Sequence, residues 1–322
     1  MRIVFFGSPA AALPSLDKLL AAGHEVPLVV TRPDHPAGRG RRLTSCPVKK
    51  YAAERGIPSY EPERIRKTPE ALDRLREARA DIHIVVAYGQ IMPGPIINLP
   101  RRRSLNVHFS LLPKYRGASP VAWAILNGET VTGVTIFRLD EKMDEGDIFG
   151  SAEEAIHPDD TAGRLESRLA VSGADLLVQT LERLDAIIPR PQDHAQATLA
   201  PKLKKESGLI DWGADAAAVD RLVRAMQPWP TAFTFLRGER FILLEGRPAG
   251  ADDDRDASRS IAAPAGTILE AGKSGIRVLC GSGTSYRVSR LQAGGKKPMD
   301  AAAFLRGAMV APGDILGKNA ER

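Results

Sequence analysis

Residues 1–23, MRIVFFGSPAAALPSLDKLLAAG, decide the fold class. Ile3, Val4, Phe5 and Phe6 form an unbroken apolar run, the pattern of a strand buried on both faces. Gly7, Ser8 and Pro9 break that run, after which Leu13, Leu16, Leu19 and Leu20 return at helical spacing until Gly23 stops the helix. A buried strand followed at once by an amphipathic helix is the repeating unit of a mostly parallel sheet. Further strands are expected at residues 26–31, 82–87 and 105–109, the last two separated by Gly89, Pro93, Gly94, Pro95 and Pro100. Residues 131–139 and 147–156 read as a hairpin-like pair around the polar turn 140–146, and Thr161 as the N-cap of a long helix carrying Leu165, Leu169, Leu176, Leu177, Leu181 and Leu184.

Beyond residue 189 the pattern changes. Pro189, Pro191 and Pro201 bound a stretch without periodicity, where we place the domain boundary. Val219, Leu222, Val223 and Met226 mark a short helix that Pro228 ends, and short strands follow at 233–236, 241–244, 267–270, 276–280 and 286–291. Five short strands in about a hundred residues suggest a small barrel of the oligonucleotide-binding type. The expected fold class is therefore α/β, a Rossmann-like domain with a mostly parallel sheet over residues 1–189, then a linker at 190–207 and a small OB-like β-barrel domain at 208–322.

Two domains also suit a length of 322 residues. With 43% hydrophobic and 26% charged residues the chain has globular composition, which argues against a largely disordered or collagenous protein. Two cysteines, Cys46 and Cys280, are too few for a disulfide framework or a structural zinc site and suit a reducing compartment, so a cytoplasmic location is expected. The opening apolar run is too short for a signal-peptide core, and no stretch reaches the ~18 apolar residues of a membrane span. The formal charge of +6 is concentrated in residues 190–322, which hold 20 Lys/Arg against 15 Asp/Glu. That bias hints at a polyanionic partner. The first strand-helix turn has one glycine where a dinucleotide fingerprint needs three, so an NAD site is not expected. P-loop, HExxH, GxSxG and paired CxxC motifs are absent.

Asn106 and His108 alternate on one strand and so share a face at its C-terminal end, the edge where open α/β sheets bind ligands. An amide donor beside an imidazole can hydrogen-bond a developing oxyanion and move a proton. The acidic turn with Asp140, Glu141, Asp144, Glu145 and Asp147 could bring a carboxylate to the pair. Such an arrangement suits transfer of an acyl-level carbon to an amine, although strand-end polar clusters and acidic turns are often merely structural or solvated.

The string NVHFSLLPKYRGASP (106–120) resembles the signature of the 10-formyltetrahydrofolate-dependent formyltransferases, and RLDEKMDEGDIF (138–149) resembles the loop carrying their acidic residue. Further stretches share the resemblance nearly end to end, among them TRPDHPAGRGRRL (31–43), VVAYGQIMP (85–93), LKKESGLIDW (203–212), RAMQPWPTAF (224–233) and AGGKKPM (293–299). Departures are mild: Ser8 stands where Thr is usual, alanines occupy 10–12, and Lys142-Met143 precede Asp144. The resemblance implies catalytic Asn106, His108 and Asp144. It implies a folate pocket lined by Tyr88, Gln90, Ile91, Met92, Ser110, Leu111, Leu112 and Pro113. It also implies 10-formyltetrahydrofolate as co-substrate and initiator methionyl-tRNA as acceptor, formylated for translation initiation. Because the folate already activates the carbon, no metal is required; a monomer with no membrane partner is expected. The Gly/Pro-rich basic stretch 31–50, expected as a mobile insertion, would contact the tRNA through Arg39, Arg41 and Arg42. On the C-terminal domain Lys204, Lys205, Lys296 and Lys297 would do so, with Lys202, Arg221, Arg224 and Arg306 as further candidates. The rivals are a different acceptor (an amino-sugar nucleotide, glycinamide ribonucleotide or water) and a non-catalytic RNA-binding protein with a decayed α/β domain.

Overall fold

The computed structural model describes residues 1–37, 42–250 and 263–317. Its first elements are β1 (Arg2–Gly7), α1 (Leu13–Ala21), β2 (Glu25–Val30), β3 (His35–Ala37), β4 (Arg42–Thr44), α2 (Pro47–Glu54), β5 (Ser59–Tyr60) and α3 (Glu70–Glu77). There follow β6 (Ile82–Val86), α4 (Gly94–Ile97), β7 (Ser104–His108), α5 (Pro120–Leu126), β8 (Val131–Arg138), β9 (Ile148–Ala155) and α6 (Ala162–Glu182). The remainder comprises α7 (Ala216–Ala225), β10 (Ala232–Leu236), β11 (Glu239–Pro248), β12 (Ile268–Gly272), β13 (Gly275–Leu279), β14 (Ser285–Ala293), β15 (Met299–Asp300), α8 (Ala301–Leu305) and β16 (Leu316–Gly317). The chain divides into two compact units: Met1–Val121 with Val131–Ile156 and Leu165–Pro201, and Lys202 onward with Ala122–Thr130 and His157–Arg164.

The first unit is built on a seven-stranded sheet in the order β5-β2-β1-β6-β7-β8-β9. Strands β5 to β7 are parallel, and the hairpin β8-β9 adds antiparallel strands beside β7. The unbroken apolar run of β1 has the reason expected of it, since Ile3, Val4, Phe5 and Phe6 are fully buried between helical layers. Every parallel strand points its C-terminal end to one edge, which carries Ser8 after β1, residues 87–92 after β6 and His108 on β7. In residues 31–50, expected as a loop, β3 and β4 pair and α2 begins at Pro47, a first-turn position where proline's missing N–H costs nothing. The stretch 190–201, expected as part of a linker, satisfies its backbone against the first unit. Arg190 exchanges hydrogen bonds with Ile148 (2.8 and 2.9 Å), and Ala200 donates to Arg116 O at 2.7 Å.

The second unit holds an antiparallel sheet in the order β12-β13-β14-β11-β10-β16. It curls back on itself: Ile268 N–H donates to Asp314 O (2.7 Å) and Leu316 N–H to Gly266 O (2.8 Å), linking the two ends of that path. Leu236, Phe241, Leu243, Ile276, Val288 and Leu291 fill the concave side.

His83, in the middle of β6, is fully buried against Phe6, with ring centroids 5.1 Å apart. Burial pushes its imidazole down from 6.5 to about 3, so the folded protein holds it neutral. The unfolded chain takes up this proton below pH 6.5 and the folded chain does not. The contribution is therefore intact above pH 6.5 and is lost as pH falls toward the folded value. Replacing His83 with phenylalanine should flatten the pH dependence of unfolding free energy between pH 6.5 and 4.5 by up to ~1.4 kcal/mol per pH unit. Urea titrations at several pH values read this directly, and an unchanged slope would show that His83 does not set it.

Candidate active site

Period-2 alternation on β7 puts Asn106 and His108 on one face, with Val107 turned to the other. His108 is 6% exposed, and its Nε2 lies 2.9 Å from Tyr115 O. A carbonyl can only accept, so Nε2 carries the hydrogen and, in the neutral ring, Nδ1 presents a lone pair. That Nδ1 faces Asp144 Oδ2 at 3.8 Å, too far for a direct hydrogen bond. Two acceptors therefore lie side by side, close enough for one donor group placed off the line between them to hydrogen-bond both. Asn106 is half-buried, and among the described residues its amide has no hydrogen-bond partner.

The segment after β7 supplies the frame. Thr135 on β8 accepts from Leu112 N (3.1 Å) and donates to Ser110 O (2.7 Å), while Ser110 Oγ donates to Lys114 O (2.7 Å). These bonds hold the turn 110–114, with its cis Leu112-Pro113 bond, against the sheet. Tyr115 then adopts φ +60°, its N–H donating to Thr198 Oγ1 at 2.8 Å. Gly117, at φ +120°, donates its N–H to Asp144 Oδ2 at 2.8 Å. A Cβ at residue 117 would stand 2.8 Å from Ala200 O, so glycine is required there.

Asp144 comes from the β8-β9 connection and itself takes φ +55°, unusual for a residue with a side chain. Gln192 Nε2 donates to both Asp144 O and Gly146 O at 2.8 Å. Gln192 carries no periodicity or spacing signal, and Arg116, whose guanidinium bonds it, stands out in the sequence only as part of the 106–120 signature.

The residues expected to line a pocket divide into two sets. Ile91 is 71% exposed at the ligand edge and Leu111 is half-buried. Tyr88 and Met92 are buried in the core with Phe6 and Val85, and Leu112 packs on Phe137 and Ile148. Gln90 accepts from Ile65 N (2.8 Å) and donates to Pro62 O (2.9 Å), bracing the neighbouring loop. Ser110 is buried and Pro113 half-buried in the turn.

Arg39 and Arg41 lie outside the described residues, and Arg42 is placed as the first residue of β4. Lys49, in the same basic stretch, is committed to Asp34 and Glu61 (3.1 and 3.2 Å), and its hydrogen bond holds the Asp34 carboxyl below the usual range. In the second unit Lys202, Lys204, Lys205, Lys296, Lys297 and Arg306 are exposed. Arg224 is paired with Asp220 at 2.7 Å, and Arg221 donates to Leu126 O at 3.1 Å. Among the described residues no group of three or more His, Cys, Asp or Glu side chains could hold a metal ion, and no helix is long and apolar enough to cross a membrane.

A ligand-edge amide, imidazole and carboxylate on a parallel-rich sheet, followed by a curled antiparallel domain, define a class that comparison makes explicit. The chain belongs to the formyl transferase family: residues 1–181 match its formyl transferase domain and residues 202–309 its C-terminal domain. Its relatives include methionyl-tRNA formyltransferases along their full length. It is 42% identical to that of Geotalea uraniireducens over 320 residues, 99% of this chain and 98% of the relative. It is 44% identical to that of Solibacter usitatus, covering 99% of each. Among solved structures, HypX of Aquifex aeolicus, in complex with tetrahydrofolic acid, has the same fold with a TM-score of 0.65 at 17% identity, covering 95% of this chain and 47% of HypX. An N-formyltransferase of Helicobacter canadensis, in complex with folinic acid and dTDP-3-aminofucose, scores 0.63 at 16% identity, covering 91% and 99%.

Proposed function

We propose that this protein transfers the formyl group of 10-formyltetrahydrofolate to the α-amino group of methionyl-initiator tRNA, in the cytoplasm, for translation initiation. The observation that carries the reading is the pair of adjacent acceptors, His108 Nδ1 and Asp144 Oδ2, 3.8 Å apart and within reach of one donor group placed to their side, beside the uncommitted Asn106 amide. An α-amino group titrates near ~7.7, so a modest pull on one proton makes it nucleophilic. Its nitrogen would donate one hydrogen to Asp144 Oδ2 and another to His108 Nδ1. Asn106 Nδ2 would donate to the formyl oxygen as negative charge gathers there, a contribution typically worth ~10²- to 10³-fold in rate.

As the new C–N bond forms, His108 Nδ1 takes the amine proton. The resulting imidazolium, stabilised by Asp144, can donate to the oxyanion and then deliver the proton to the departing nitrogen. The co-substrate supplies a formyl carbon already bonded to that leaving nitrogen. The edge fits such a donor: Ile91 offers an exposed apolar surface for a flat ring, and the backbone of residues 88–92 and 110–113 borders it. Tyr88, Gln90, Met92, Ser110 and Leu112 would line the site mainly through backbone, their side chains being committed to the core or to the loops.

The acceptor assignment favours tRNA because both relatives named above are methionyl-tRNA formyltransferases along nearly the whole chain. Arg39, Arg41, Arg42, Lys204, Lys205, Lys296 and Lys297 are proposed to meet the phosphates. Equal assays with charged initiator tRNA, an amino-sugar nucleotide and buffer alone, each with 10-formyltetrahydrofolate, should give formyl-methionine in the first and background in the others. Preferential formylation of the sugar amine, or formate release, would overturn the reading. tRNA binding should also weaken steeply with salt, and Lys296→Ala/Lys297→Ala should lower the log-log slope by about one to two if both touch duplex phosphates. A flat salt response would remove this surface from the account.

A further inference from the structure

We propose that Gln192 is a positioning residue for Asp144, a latch that holds the 144–146 loop at the reacting centre. The proposal rests on the reading of the site given above and adds to it a residue that touches neither substrate. Gln192 is 6% exposed, and each of its polar atoms is used. Oε1 accepts from Arg116 Nε and from one terminal nitrogen of that guanidinium (3.1 and 2.7 Å), while Nε2 donates to Asp144 O and Gly146 O, both at 2.8 Å. The guanidinium has only donors, so it fixes which way the amide points: oxygen toward Arg116, nitrogen toward the two carbonyls.

Arg116, itself 5% exposed, also reaches Glu145 Oε1 (3.4 Å) and His194 Nδ1 (2.9 Å). Residues 144, 145 and 146 are therefore each tied to Gln192 or Arg116. Residues 115, 116 and 117 in turn bond His108, the latch and Asp144. The left-handed backbone of Asp144 is disfavoured by ~1–3 kcal/mol and persists only where its surroundings impose it. Within this loop the amide of Gln192 is the side-chain group that bonds the main-chain carbonyls of residues 144 and 146, and so acts on the backbone directly.

The isostere Gln192→Glu keeps the contact to Arg116 but turns an oxygen toward two carbonyl oxygens, whereas Gln192→Ala removes both halves of the latch. Each should lower kcat ~10- to 100-fold, as a misplacement of about 1 Å does, with KM for donor and tRNA changed less than ~3-fold. In an Asp144→Asn background the same substitutions should cost less than ~3-fold, because a latch for an absent carboxylate has nothing left to position. Deuterium exchange over residues 115–118 should quicken at the Gly117 amide, whose N–H is donated to Asp144. If Gln192→Ala does not fold, Gln192→Glu carries the test.

An undiminished kcat, a loss confined to KM, a full loss persisting in the Asp144→Asn background, or unchanged Gly117 exchange would each overturn the proposal. If the unmodified protein makes no formyl-methionine, the functional reading fails, and the exchange measurement still decides whether Gln192 holds the loop.

Discussion

Asp144→Asn is expected to lower single-turnover formyl transfer by about 10³-fold while leaving the thermal midpoint nearly unchanged, because the substitution keeps shape and removes charge. The amide oxygen of asparagine can still accept from Gly117 N–H, which sits 2.8 Å from Asp144 Oδ2. What disappears is the carboxylate proposed to hold the incoming amine and to stabilise the imidazolium of His108. In the alternative amide orientation the NH2 group faces Nδ1, 3.8 Å from Asp144 Oδ2, and competes with the substrate amine for that lone pair. His108→Ala removes the proposed proton acceptor itself and should lose ~10²- to 10⁴-fold. Circular dichroism and melting curves on the same preparations separate chemistry from folding. Near-normal rates in either variant would mean the proton moves by another route.

Gly146→Ala is the second substitution expected to do severe damage, and it acts through the backbone. A Cβ at residue 146 would lie 1.7 Å from Arg138 O, an approach that nothing short of moving the chain can relieve. Residue 146 follows the loop that carries Asp144, and its carbonyl is one of the two that Gln192 holds. Displacing it should cost ~1–3 kcal/mol of stability, as overpacking does, and at least ~10²-fold in rate. The contrast with Asp144→Asn is diagnostic: here the melt and the rate move together. Wild-type stability with normal turnover would show that the strand pair has slack the geometry does not suggest.

How much of this was legible in the residues depends on the range of the interaction. The unbroken run Ile3 to Phe6 and the leucine face of α1 were enough to give a parallel α/β sheet, since burial on both faces leaves a local pattern. Strict alternation likewise put Asn106 and His108 on one face. No spacing rule says which carboxylate of the acidic turn returns to within 3.8 Å of that imidazole; the choice of Asp144 came from the resemblance of the 138–149 loop to a family signature. The short helices α2 and α3 lack the length for a clear helical period. Gln192 lay in an aperiodic stretch between prolines, where a side chain whose partners are backbone carbonyls 46 and 48 residues away leaves no trace in its neighbours. Tyr88 shows the opposite difficulty. Its motif placed it at the ligand edge, and its ring is packed edge-on against Phe6 in the core, 5.4 Å between centroids, with burial pushing the phenol up.

The central claim is that amide, imidazole and carboxylate converge on the carbon that changes nitrogen partners. A crystal structure with 5-formyltetrahydrofolate, which holds its formyl group on the unreactive nitrogen, and a methionyl-adenosine mimic of the charged tRNA end tests it most directly. The account predicts a methionyl nitrogen within hydrogen-bond reach of both His108 Nδ1 and Asp144 Oδ2, with the folate ring along residues 88–92 and its reactive face toward Asn106. A methionyl amine bound away from both acceptors, or a folate seated elsewhere on the chain, would contradict it.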